Sequence, residues 1–92
     1  MKITVDMASR GIKSLTNWRL TKEKNVFFAD ITPTKFLQTC RQVFPDSFIK
    51  PEKSSSRDII KVGVGKDEFD MDILLVFNKK EKKVYLYEYV EF

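Results

Sequence analysis

The stretch DIIKVGVGKDEFDMDILLVFNKKEKKVYLYEYVEF, Asp58 to Phe92, decides the fold, because it reads as three consecutive β-strands whose pairing can be argued residue by residue. Successive side chains of a strand fall on opposite faces, so a period of two separates the residues into two rows. In the last segment Val84, Leu86, Val90 and Phe92 form one row, interrupted by Glu88, and Tyr85, Tyr87, Tyr89 and Glu91 form the other. The segment before it carries an unbroken apolar row of Phe69, Met71, Ile73, Leu75 and Phe77, with Asp70, Asp72, Leu74, Val76 and Asn78 between them.

A hairpin turning at Lys80-Glu81 sets Phe77 against Val84, Leu75 against Leu86, Met71 against Val90 and Phe69 against Phe92, which merges the two apolar rows. A one-residue slip would mix core and solvent rows, so this class of register is strongly preferred. Upstream, a turn through Gly65-Lys66-Asp67-Glu68 pairs Val64 with Phe69, Val62 with Met71 and Ile60 with Ile73, and it opposes Lys61 to Asp72 on the other face. Strands predicted over 58–64, 69–78 and 83–92 therefore share one apolar face, which needs a cover.

The cover is legible between Thr32 and Pro45. Thr caps a helix and Pro suits its first position. Phe36, Leu37, Cys40, Val43 and Phe44 then make one apolar stripe, with Lys35, Gln38, Thr39, Arg41 and Gln42 facing away. Pro45 ends the helix, predicted over 33–44. Toward the N-terminus, Met1 to Val5 alternates as a short strand, residues 8–15 read as a helical turn or loop, and a strand over 17–21 turns through Lys22 to Asn25 into one over 26–31. Pro45 to Arg57, with two prolines and Ser54-Ser55-Ser56, reads as a long loop. The fold class expected is α+β: an antiparallel sheet of four to five strands ending in a three-strand meander, with one main helix packed on one face.

With 92 residues the chain is sized for one domain spanning 1–92, with a modest core. A lone Cys40 on the helix stripe permits no internal disulfide, and no apolar run approaches the length of a membrane span. The opening residues do not resemble a signal peptide, so a cytoplasmic location is expected.

Without histidine, Ser-His and Cys-His nucleophile systems are excluded and the commonest metal ligand is missing. Gly63-Val64-Gly65 lacks the further glycine and following helix of a phosphate loop. Pro45-Asp46 with Glu81-Lys82-Lys83 matches a metal-dependent nuclease motif poorly, because the Glu-x-Lys part falls in a turn. Asp67, Glu68, Asp70 and Asp72 crowd one turn and carry oxygen ligands suited to Mg²⁺ or Ca²⁺, but they read better as a solvated acidic rim. No catalytic residue, metal or cofactor is assigned.

Two basic clusters stand out: Lys50, Lys53 and Arg57 in the long loop, and Lys79, Lys80, Lys82 and Lys83 at the hairpin tip. Both suit phosphate contact, and both equally suit a solubilising surface. Residues 1–57 hold 11 Lys/Arg against 5 Asp/Glu, whereas residues 58–92 hold 6 against 8, so the positive excess lies mostly outside the meander. The row Tyr85, Tyr87 and Tyr89, beside Leu74 and Val76 and framed by Asp70, Asp72 and Glu91, has the composition of a protein-binding surface. Its tyrosines also suit base stacking, although acids around them repel phosphate. A second cover formed by residues 1–25 would bury it.

The function expected on these grounds is that of a small non-catalytic binding protein docking on a macromolecule, such as a phage or mobile-element inhibitor of a nucleic-acid-handling protein. Direct DNA or RNA binding through the basic clusters is an alternative. In size, basicity and its closing three-strand sheet the chain is also similar to RelE-like toxins, which are His-free ribonucleases that use Lys, Arg and Tyr side chains. That likeness is architectural; no motif matches and no catalytic residue follows from it.

Overall fold

Thr4 and Thr32 each start a helix by the same device. In the computed structural model, which describes residues 2–90, the Thr4 hydroxyl accepts from the Met7 amide at 3.2 Å and the Thr32 hydroxyl from the Lys35 amide at 3.1 Å. Each bond satisfies one of the free amides of a first helical turn. Helix α1 spans Val5–Leu15 and helix α2 spans Pro33–Val43. Between them lie β1 (Arg19–Leu20) and β2 (Val26–Phe28), and after them β3 (Phe48–Glu52), β4 (Ile59–Asp67), β5 (Asp70–Asn78) and β6 (Lys83–Glu88).

The strands form one sheet in the order β1-β2-β6-β5-β4-β3, and every neighbouring pair is antiparallel. The fold is α+β, with six strands rather than four or five and two helices rather than one. The extra helix, α1, begins at the end of the expected short strand and takes in residues 8–15, which were expected to be a helical turn or loop. Asp6 in its first turn and Lys13 in its last complement the helix dipole, and Ala8 and Ile12, four apart, bury one face. The extra strand, β3, lies inside the segment expected to be a loop. Its Pro51 is tolerated because β3 is an edge strand, where a missing amide costs no ladder bond.

The hairpin of β5 and β6 has the expected register, with Phe77 opposite Val84 and Leu75 opposite Leu86. The strand β6 ends at Glu88, short of the expected Met71–Val90 pair, and the Phe69–Phe92 pair lies outside the described residues. The hairpin of β4 and β5 is tighter than expected. It turns at Glu68 and Phe69, so Val64 meets Ile73, Val62 meets Leu75 and Ile60 meets Phe77. The shift is by an even number of residues, which leaves the apolar rows on one face. It moves Lys61 from Asp72 to Val76 and leaves Phe69 in the turn, 81% exposed.

Register shifts flank Gly65 at the turn end of this hairpin. A Cβ at Gly65 would fall on the Asp70 carbonyl oxygen and lie 2.6 Å from Met71 Cα, so only glycine lets the strands close here. The bulge also takes Met71 out of the expected apolar row. Its Cε lies 3.4 Å from the Cβ position of Gly63, beside the Tyr89 ring, and Met71 is buried there, apart from the main core.

The core unites Ala8 and Ile12 of α1, Phe36, Cys40 and Phe44 of and after α2, and Val62, Val64, Ile73, Leu75, Phe77, Val84 and Leu86 of the sheet. Phe36 is its hub, with ring centroids 5.1 Å from Phe77 and 6.0 Å from Trp18. Thr39, expected to face solvent, is buried, and its hydroxyl is satisfied by the Lys35 carbonyl at 2.7 Å. Both helices therefore cover the same face of the sheet.

Candidate binding surface

Because α1 and α2 share one face, no described helix packs on the other. Its rows follow from the register. Tyr85 stands between Val26 and Val76, with Lys61 next across the sheet. Tyr87 stands beside Leu74, followed by Gly63 and Lys50. Lys83 stands between Phe28 and Asn78, with Arg19 beyond Phe28 at the edge. The described residues of the N-terminal segment, 2–25, do not bury the tyrosine row: Tyr87 is 50% exposed, and Tyr85, Leu74 and Val76 are half-buried.

The Tyr85 and Tyr87 rings are nearly parallel, 9° apart in plane with centroids 6.3 Å apart. The Tyr85 hydroxyl donates to Glu81 Oε1 at 3.1 Å. Burial, that hydrogen bond and the Glu81 charge all push the phenol upward, so it is a neutral donor at physiological pH. Tyr89 is half-buried and donates to Glu52 Oε1 at 2.8 Å. Phe28 and Phe48, each 41% exposed, add aromatic surface on the same face. The Arg19 guanidinium lies 5.7 Å and the Lys83 ammonium 5.6 Å from the Phe28 centroid, within cation–π range.

The acidic frame expected around the tyrosines is not assembled. Asp70 sits at the β4–β5 turn, at the far end of the sheet from Lys79–Lys82. Asp72 is buried, and its Oδ2 accepts the Ile3 amide at 2.9 Å, tying the segment before α1 to β5. Both flank a shallow hollow that also holds Lys2 and Lys66. Glu91 lies outside the described residues.

The two basic clusters, distant in sequence, converge. Lys53 and Arg57 are in the β3–β4 loop and Lys79, Lys80 and Lys82 in the β5–β6 loop, all exposed and at the same end of the sheet. A 2.7 Å bond from the Lys79 amide to the Asp58 carbonyl joins the two loops. Asn78 Oδ1 orders the second loop by accepting from the Glu81 amide at 3.0 Å, and Lys82 closes it with a φ of 58°. Lys82 also pairs with Asp30 at 3.5 Å, an exposed contact of little energetic weight. The Ser54 and Ser56 hydroxyls are engaged within their own loop. Lys50 and Lys83 belong to strands and reach the open face, so the basic end and the tyrosine face are continuous.

Sequence reasoning placed Lys61 on this face, opposite Asp72, but did not include Arg19, Phe28 and Phe48 in the surface. Period-two alternation puts Val26 and Phe28 on one side of a strand, but only the β2–β6 pairing shows that this side is the tyrosine side. Cys40 is inert by position, since burial pushes its thiol up to about 12. The chain matches no family model, no curated protein and no solved structure.

Proposed function

We propose that this protein is a non-catalytic binding module that docks a macromolecular partner on the open face of its sheet, around Tyr85 and Tyr87. One observation carries the reading: two helices and the core occupy one face, leaving a six-stranded sheet with exposed rings and half-buried aliphatic side chains on the other. Contiguous surface of this kind marks interaction sites on soluble domains more often than it decorates them. The functional groups here bind rather than react: Tyr85 is a hydrogen-bond donor, Tyr87 offers a planar surface, the lysines are exposed or half-buried charges, and the single thiol is buried.

A photoreactive phenylalanine analogue placed at position 87 tests this, with the same group at Gln38 on the exposed side of α2 as control. The expected outcome in host lysate is a discrete adduct from position 87 and none from 38. Equal labelling at both positions, or none at 87, rejects the open face as the docking surface.

A further inference from the structure

Resting on the reading of the open face as a docking surface, we infer that its occupant is single-stranded nucleic acid. The bases stack on Tyr87 and Phe28, and the phosphates are met by Arg19, Lys50, Lys61 and Lys83. Charge complementarity argues for this occupant. Arg19 and Lys83 lie in the cross-strand row of Phe28, Lys50 in that of Tyr87 and Lys61 in that of Tyr85. Among the described residues, three glutamates lie near the face: Glu23, beside Phe28 and Lys83, and Glu52 and Glu81, which each accept a tyrosine hydroxyl. Asp72 is turned to the Ile3 amide, and Glu52 stands opposite Lys61, so the four cations, Arg19, Lys50, Lys61 and Lys83, outnumber the three glutamates that remain near the face.

Lysine is depleted at the centre of protein–protein interfaces, whereas interleaved lysines and aromatic rings on a sheet are what unpaired bases require. A duplex hides its base faces and gains nothing from Tyr87. The basic end formed by Lys53, Arg57, Lys79 and Lys80 extends the positive surface beyond the rings and supplies a path for the backbone leaving the sheet.

The test is fluorescence anisotropy of the full chain with labelled mixed-sequence RNA and DNA oligonucleotides, single-stranded and annealed, at low and high salt. Single strands should bind more tightly than the duplex of equal length. Tyr87→Ala should weaken them about 5- to 150-fold, the span seen when base-stacking aromatics are removed. Tyr87→Phe, which keeps the ring, should retain affinity. Lys61→Gln and Lys83→Gln should each lower the slope of log affinity against log salt by about 0.7. No binding at low salt, unchanged affinity of Tyr87→Ala, or equal affinity for the duplex overturns the inference. The cross-link at position 87 separates the two levels. An adduct whose added mass survives nuclease keeps the docking face but overturns nucleic acid as its occupant. Absence of any adduct at 87 overturns both.

Discussion

The Tyr89 hydroxyl donates a 2.8 Å hydrogen bond to Glu52 Oε1, across 37 residues of sequence and over the bare backbone of Gly63. A Cβ at Gly63 would stand 3.3 Å from both the Glu52 oxygen and the Tyr89 ring. The bond fastens the end of the chain that follows β6 to the edge strand β3, and it occupies the carboxylate nearest the tyrosine row.

Removing that hydroxyl should be felt at both ends of the contact. Tyr89→Phe is expected to cost about 1 kcal/mol, the usual net value of one hydrogen bond. Glu52→Gln should cost less in the Tyr89→Phe background than in the wild type. Urea melts of the two single variants and the double variant measure this coupling; additive losses would mean that the contact contributes nothing.

Two glycines should answer to alanine with opposite signs. At Gly11, inside α1, a Cβ meets only Val43 Cγ1 at 3.5 Å, an ordinary contact, so Gly11→Ala should stabilise by about 0.5–1 kcal/mol through helix propensity. At Gly65 the added carbon meets backbone of β5, so Gly65→Ala should destabilise by about 1–3 kcal/mol or more, as overpacking does. Thermal unfolding of both variants decides. A neutral Gly65→Ala would contradict the closeness of the bulge.

Cys40 should make stability fall on the alkaline side. Its folded pKa is raised to about 12 from a reference of 9.0, chiefly by burial, so the folded state holds the proton after the unfolded chain has lost it. The neutral thiol's contribution is complete below pH 9 and declines as pH rises toward 12, by up to about 1.4 kcal/mol per pH unit for one proton. A whole-protein curve sums every ionising group, so the relevant quantity is the difference from Cys40→Ala. That variant should be less stable at neutral pH and lose less stability between pH 9 and 11. Parallel curves for the two proteins would show that the thiol ionises as freely folded as unfolded.

Much of this architecture was readable from residue order. The β5–β6 register followed from two apolar rows that had to merge, and α2 followed from Thr32-Pro33 at its start and Pro45 after its end. The other helix was legible only as a helical turn or loop over 8–15, because Ile3 and Val5 mimic a strand and Gly11 dilutes the periodicity. The decisive cap, Thr4 with Asp6 behind it, lies where alternation was also satisfied. Strand β3 escaped because Pro51 argues against a strand unless the strand is known to be at an edge. The β4–β5 register escaped because a shift of an even number of residues leaves the apolar rows on the same face, and the close approach of β5 to Gly65 at the turn is not displayed by sequence. The tyrosine row was identified as a surface, but its neighbours were not. Aspartates adjacent in sequence were drawn off by the turn and by Ile3, while Phe28 and Arg19 arrived from the expected hairpin of β1 and β2, whose place beside β6 only the structure gives.

Whether the face carrying Tyr87 is free in solution is tested most directly by NMR with a soluble paramagnetic agent, comparing side-chain signals from the two sides of the same strands. Tyr87, Leu74 and Val76 should be attenuated strongly while Ile73, Leu75 and Phe77 are spared, matching the half-buried or exposed state of the first group and the full burial of the second. Protection of Tyr87 and Leu74 equal to that of Phe77 would contradict an uncovered sheet face and, with it, the docking surface proposed there.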